Sequence, residues 1–344
     1  MLERKSKAVA TSRKTPHGVV SPDQATPLPS IGLVLGGGGA RGLAHILMLE
    51  VFDELGIKPK VIAGTSIGAI FGAAYASGIS AYDIRAHTQD VLSQRFALMR
   101  DLFSARAQPV QRLLKLFSTP SALLNADTLL DYVMPKGTKT TFAELDIPLK
   151  IVASDFYQQE QVIFDSGSLR SAVAASMALP VVFEPVIING RAMIDGGLTN
   201  PLPFDILGNE VDIVVAIDVS GRPVPHPKRD YPSALESLFA SAFLFERSIV
   251  REKLKAAQPD ILISSGTGQF QVLDFLKYAE ILEAARPAKQ QLKSQLMRVL
   301  SVETLPLIET SARAESGGQN LVPVKSGKKR RRSLLKRRNG PEPA

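Results

Sequence analysis

The chain contains no cysteine. That absence excludes disulfides, a thiol nucleophile and a cysteine-ligated zinc site, while leaving the compartment open. No apolar run approaches the roughly 20 residues that a membrane-spanning helix needs, so no such helix is expected. Histidine is scarce: His17, His45, His87 and His226 are the four in the chain. Charged residues make up 22% and apolar residues 45%, a balance that fits a globular enzyme rather than a disordered protein. The net charge of +8 belongs to one place. Residues 321–344 hold nine Lys and Arg against one Glu, so the rest of the 344-residue chain is neutral and its folded part carries no basic signature.

Residues 1–29 are polar and basic, with Pro, Ser and Thr and without the apolar segment of a secretory signal. They are expected to form a disordered leader, with a transit peptide as the alternative. Residues 30–300 are read as one catalytic domain and 301–344 as a disordered tail with a basic cluster at 325–338.

Within the domain, strand patterns alternate with helical ones. Ile31–Leu35 reads as a buried strand, followed by a glycine-rich turn at 36–42 and a helix over 43–55 closed by Gly56. Residues 81–134 read as mostly helical and rich in large apolar side chains, broken by Pro109 and Pro120. Strands are expected at 149–154, 161–164, 181–188, 191–194, 211–219 and 260–264. Asn189-Gly190 marks a hairpin between 181–188 and 191–194. Helices are expected over 168–176, 233–257 and 272–297. This alternation predicts an α/β fold with a mainly parallel sheet covered by helices on both faces. In such sheets the site lies beyond the carboxyl ends of the strands.

The chemistry starts at Gly64-Thr65-Ser66-Ile67-Gly68, between a short β-branched strand and a small-residue apolar helix. Strand, Gly-x-Ser-x-Gly and helix form the layout of a nucleophile elbow, with Ser66 raised above the sheet end. The second glycine-rich turn, Gly36-Gly37-Gly38-Gly39-Ala40-Arg41-Gly42, also fits a dinucleotide fingerprint. A nucleotide fold needs an acidic residue at the end of the second strand. Ser66 stands there instead. Four consecutive glycines serve better as an oxyanion hole, where bare backbone aims several amides at one point.

A serine nucleophile needs a base. His17 lies in the leader, His45 is expected to pack, His87 sits on a polar helix face, and His226 lies in a proline-rich loop. A carboxylate is better supported, and Asp195-Gly196-Gly197 offers one directly after a strand.

The three motifs in this order resemble the patatin-like phospholipase family. Connecting segments also resemble it: Ser154-Asp155, Gly167-Ser168-Leu169, Leu179-Pro180 and Leu198-Thr199-Asn200-Pro201. The likeness covers about 30–220 well and 233–297 loosely. It implies a three-layer fold and a dyad without histidine, in which Ser66 attacks an ester carbonyl and Asp195 is the general base. It further implies that amides of Gly37, Gly38 and Gly39 hold the oxyanion and that an acyl-enzyme forms. Arg41 either reinforces that hole or anchors its loop. The remaining motif glycines are Gly36, Gly42, Gly64, Gly68, Gly196 and Gly197.

A lipid ester is the implied substrate and no cofactor is called for. Residues 81–134 read as core or as a membrane-facing cap. The basic tail is expected to touch anionic lipid transiently, in a cytoplasmic protein peripheral to the membrane. No aromatic residue interleaves its charges, so specific nucleic-acid recognition is not expected. The competing reading is a catalytically silent lipid- or partner-binding protein on the same fold.

Overall fold

A computed structural model describes residues 28–94, 124–222, 230–232 and 234–302. Of the expected leader and tail, only 28–29 and 301–302 fall among them, and so does none of 95–123 from the expected cap. All lie in the first of two units into which the chain divides, Met1–Glu303.

The strands are β1 (Ile31–Leu35), β2 (Val61–Thr65), β3 (Leu149–Asp155), β4 (Glu160–Phe164), β5 (Val186–Ile188), β6 (Arg191–Asp195), β7 (Ile213–Asp218) and β8 (Ile261–Ser264). They form one sheet in the order β5-β6-β3-β2-β1-β7-β8, with β4 also paired to β3. Strands β3, β2, β1, β7 and β8 run parallel; β4 and β6 pair antiparallel with β3, and β5 pairs antiparallel with β6.

The helices are α1 (His45–Leu55), α2 (Ile67–Ala76), α3 (Ala81–Gln94), α4 (Ala126–Val133), α5 (Leu169–Ser176), α6 (Ala234–Ala256) and α7 (Tyr278–Val302). Successive strand residues serve opposite faces. Leu33 and Leu35 of β1 join the large core with α1, α2, α5 and α7. Val34 joins a smaller core on the other face with Ala63, Val214, Ala216 and Val250 of α6. The mainly parallel α/β sheet with helices on both faces is therefore as expected. Helix α2 is buried on all sides, which suits its Gly- and Ala-rich sequence.

The hairpin turn at Asn189-Gly190 has φ of 51° and 76°, the paired positive values of the expected two-residue turn. Two expectations need correction. Over 181–188 the strand begins only at Val186: Val181 takes φ 73°, the Val182 and Phe183 amides turn back to the Leu179 carbonyl, Phe183 makes only an isolated bridge to Leu124, and Pro185 has no N–H to offer a ladder. The last helix begins at Tyr278 rather than 272, since the preceding turn gives its Val272 carbonyl to the Ala40 amide.

One feature of the register brings distant segments together. Strand β2 pairs with β3 up to Thr65 opposite Val152, and β6 pairs with the next position, Asp195 opposite Ala153. Because β2 is parallel to β3 and β6 antiparallel, their carboxyl ends run toward each other and meet. Ser66 follows one end and Asp195 closes the other.

Candidate active site

Ser66 sits at φ 55° and ψ −121°, a conformation that side-chain-bearing residues rarely adopt and that over-determined surroundings must hold. Those surroundings are visible. The Ser66 amide donates to Ser176 Oγ at 2.8 Å, and Ser176 Oγ donates to the Val152 carbonyl at 2.6 Å. Thr65 Oγ1 donates to the Asn200 carbonyl at 2.9 Å. A Cβ on Gly68 would stand 2.1 Å from the Leu35 carbonyl oxygen, so only glycine lets α2 start against β1. Gly64 and Gly42 are similarly hemmed in, by the backbone of 68–69 and by the Ile67 side chain.

Ser66 Oγ donates to Asp195 Oδ2 at 2.7 Å. Asp195 is 4% exposed. Its Oδ1 accepts from the Gly197 amide at 2.7 Å, and its carbonyl accepts from Ser154 Oγ at 2.8 Å. Gly196 packs so closely on the Val152 carbonyl that a Cβ would lie 2.1 Å from it. Burial pushes the Asp195 carboxyl up to about 6, against the lowering effect of the Ser66 and Gly197 hydrogen bonds.

The glycine-rich turn lies against the serine, with the Gly37 Cβ position 3.5 Å from Ser66 Cβ. Gly39 has φ 58°, and a Cβ there would meet Val272 at 2.4 Å. The amides of this turn are not equivalent. Gly36 donates to Ile217, Gly37 to Pro201 at 2.9 Å and Ala40 to Val272. Gly37, expected among the oxyanion donors, is thereby engaged, because the Asn200-Pro201 turn supplies a carbonyl at its edge. Among the described residues the Gly38 and Gly39 amides have no hydrogen-bond partner.

Arg41 is buried and ties the turn down. Its Nε donates to the Gly38 carbonyl at 3.1 Å, and its guanidinium lies 5.2 Å from the Phe243 ring centroid. Burial lowers its pKa from the arginine value, opposed by the charges of Glu246 and Asp218.

Two histidines are described, and neither bonds to Ser66. His45 is fully buried with Nε2 2.8 Å from the Gly36 carbonyl. Burial lowers its pKa to about 4, so the neutral ring donates Nε2–H and braces the turn. His87 Nε2 meets the Tyr132 carbonyl at 3.2 Å, joining α3 to the end of α4. His17 and His226 lie outside the described residues.

Ser66, Asp195, Gly37, Gly38, Gly39 and Gly197 line the base of an open cleft. Its walls are apolar: Ile70 and Phe71 of α2, Val91 of α3, Leu129 of α4, Phe183 and Phe243. One wall residue breaks the pattern. Glu246 on α6 is buried and carries a carboxyl into the same cleft. Nothing in the glycine motifs pointed to it; the only signal is an acid inside the apolar run Phe243-Leu244-Phe245-Glu246.

The family model for patatin-like phospholipase matches residues 33–207. The chain belongs to this family. An uncharacterized NTE family protein of Mycobacterium tuberculosis is 35% identical over 203 residues, covering 59% of this chain and 52% of that protein. The lysophospholipase NTE1 of Pyricularia oryzae is 32% identical over 217 residues, covering 61% of this chain and 13% of the fungal protein. The chain thus spans about half the length of the mycobacterial relative and a small part of the fungal one. Among solved structures, VipD from Legionella pneumophila is similar at 15% identity and a TM-score of 0.42, covering 78% of this chain and 67% of VipD. No helix among the described residues is long and apolar enough to cross a membrane.

Proposed function

We propose that the chain is a serine lipid acyl hydrolase of the phospholipase, lysophospholipase or esterase type, working through Ser66, Asp195 and an acyl-enzyme. The observation that carries this reading is the 2.7 Å hydrogen bond from Ser66 Oγ to Asp195 Oδ2 at the base of an apolar cleft. Membership of the family, and a relative named as a lysophospholipase, support a lipid ester as substrate.

Ser66 Oγ attacks the ester carbonyl while its proton passes to Asp195 Oδ2. The new C–O bond leaves a tetrahedral oxyanion, which the free amides of Gly38 and Gly39 receive. One such donor is worth about 10²–10³ in rate. When the intermediate collapses, the bond to the leaving alcohol breaks and Asp195 returns the proton to that oxygen. Water then adds to the acyl-enzyme, giving its proton to Asp195, and the fatty acid departs as Ser66 is regenerated. An ordinary aspartate is a weak base for a hydroxyl; burial raises the proton affinity of this one. Arg41 holds the carbonyl of Gly38 and so fixes the direction of the following amide. The basic cluster at 325–338 holds the enzyme transiently against anionic lipid on the cytoplasmic side, at about 1 kcal/mol per basic residue near such a surface.

Fluorophosphonate labelling and hydrolysis of a lipid panel test the reading. The intact protein labels at one site and releases fatty acid, whereas Ser66→Ala does neither. Labelling that persists in Ser66→Ala overturns the assignment, and a protein that binds lipid without labelling is the silent binding module instead.

A further inference from the structure

Glu246 is a buried acid that the reaction just described does not use. It projects from α6, outside the segment matched by the family model, and stands where two cavities adjoin. One is the apolar cleft. The other is a small polar pocket lined by Arg41, Asp218, Ser220 and Glu246.

Two carboxyls come close to Gly197. The point that a Gly197 Cβ would occupy is 3.0 Å from Glu246 Oε1 and 3.1 Å from Asp195 Oδ1. Both carboxyls therefore crowd the space that a side chain at Gly197 would fill, and the glycine leaves room for the two of them. Asp195 Oδ2 is turned the other way, toward Ser66. Charged groups reach Glu246 from the neighbouring elements: Asp195 at the end of β6, Arg41 from the glycine-rich turn, and beyond Arg41 the Asp218 carboxyl at the end of β7. Glu246 and Asp218 act on Arg41, and Asp195 raises the proton affinity of Glu246 while Arg41 opposes it. Charge coupling is reciprocal, so a charge on Glu246 bears on Asp195 in turn. No cation stands directly against the Asp195 carboxylate among the effects that set its acidity.

We infer that Glu246 is a positioning residue for the dyad, a second carboxyl that concentrates the single negative charge of the site on Asp195 and sets its strength as a base. The inference rests on the proposed Ser66–Asp195 chemistry. Two acids that share a buried site do not ionise together. The one that keeps its proton here is Glu246, which burial and the neighbouring Asp195 push up to about 8, above Asp195 itself. In the acid form it leaves Asp195 ionised and ready to accept the serine proton. When Glu246 loses its proton in alkaline solution, a second negative charge confronts Asp195 and increases its proton affinity. The rate of serine attack then rises again.

The test is the pH profile of fluorophosphonate labelling, and of kcat/KM for a soluble short-chain ester, in wild type, Glu246→Gln and Glu246→Asp. Wild type is expected to rise in two steps, near pH 6 and near pH 8. Glu246→Gln is expected to keep only the first step and to fall roughly threefold behind wild type at the alkaline end, as a partial Brønsted response to a weakened base. Glu246→Asp restores a second step at a displaced pH. A single step in wild type, or a second step that survives in Glu246→Gln, overturns the inference. If circular dichroism shows that Glu246→Gln does not fold, Glu246→Asp decides alone: a displaced second step supports the assignment and an unmoved one removes it. Ser66→Ala and Asp195→Asn run alongside. Their loss of labelling beside an unaltered Glu246→Gln profile defeats only this inference, whereas labelling in Ser66→Ala defeats the dyad beneath it.

Discussion

The wall of the cleft that carries Ser66 and Asp195 and the wall that carries Phe243 and Glu246 come from different parts of the chain and are held by different means. The first is made of strand ends and glycine turns within 33–207, the segment shared with the family. Backbone hydrogen bonds and close contacts fix it. The second is one face of α6 with the turn before α7, and it adds apolar surface and a carboxyl. The contrast separates chemistry from environment. The proposed reacting pair sits where backbone geometry leaves a side chain one orientation, and residues that shape the cleft and its electrostatics sit on a helix face where a substitution changes size or charge without moving the chain.

Each wall can be perturbed to test that division. The largest effect belongs to Asp195→Asn, which keeps the shape and removes the base; hydrolysis is expected to fall by about 10³-fold or more with the circular dichroism spectrum intact. Near-normal turnover in that variant breaks the comparison at its root. Gly68→Ala tests the backbone side of the same wall. Its Cβ would lie 2.1 Å from the Leu35 carbonyl, with no flexible side chain to yield, so a loss of about 3 kcal/mol or more in stability is expected in denaturant titration. An unchanged midpoint shows that the elbow is looser than its contacts indicate.

The pH response is next in size. Asp195 acts as a base only when ionised, and its pKa is raised, so activity is present above about 6 and lost as pH falls through that value. A further unit of acid is expected to cost about tenfold in labelling rate. A profile flat down to pH 4 denies Asp195 the role. His45→Phe leaves the buried Gly36 carbonyl without its donor, and a loss of about 1–3 kcal/mol is expected in thermal unfolding. The smallest effect is reserved for the second wall: Phe243→Ala is expected to raise KM for long-chain esters by roughly threefold to tenfold while leaving short-chain kcat near wild type, since only lost apolar contact separates them. A larger loss in kcat than in KM there, read from full saturation curves, places Phe243 nearer the reacting atoms than this division allows.

Much of the first wall was legible before any coordinates. Gly64, Ser66 and Gly68 form a local signal, because a turn that tight excludes side chains wherever it occurs. Asp195-Gly196-Gly197 was legible for the same reason, as was the hairpin at Asn189-Gly190. The glycine-rich turn was legible as a set of free amides but not in detail: nothing local indicates that Pro201 takes the Gly37 amide while Gly38 and Gly39 stay free. Ser176 and Ser154, which hold the amide of Ser66 and the carbonyl of Asp195, lie in or beside segments that resemble the family, yet nothing local assigns either a role. Their role depends on which carbonyls and amides end up beside them. Glu246 is the extreme case, an acid in a helical run that reads as an ordinary amphipathic face.

Local stereochemistry, written residue by residue, therefore determined the strands, the strained serine, the tight turns and the candidate nucleophile and base, since each depends on neighbours a few positions away. Only the folded chain decided that β2 and β6 meet end to end along one edge of β3, which brings Ser66 within 2.7 Å of Asp195, and that α6 sets Glu246 close to Gly197 and to that same aspartate. Contacts of that kind join segments tens to more than a hundred residues apart, and their geometry comes from sheet register and helix packing rather than from any short stretch of sequence.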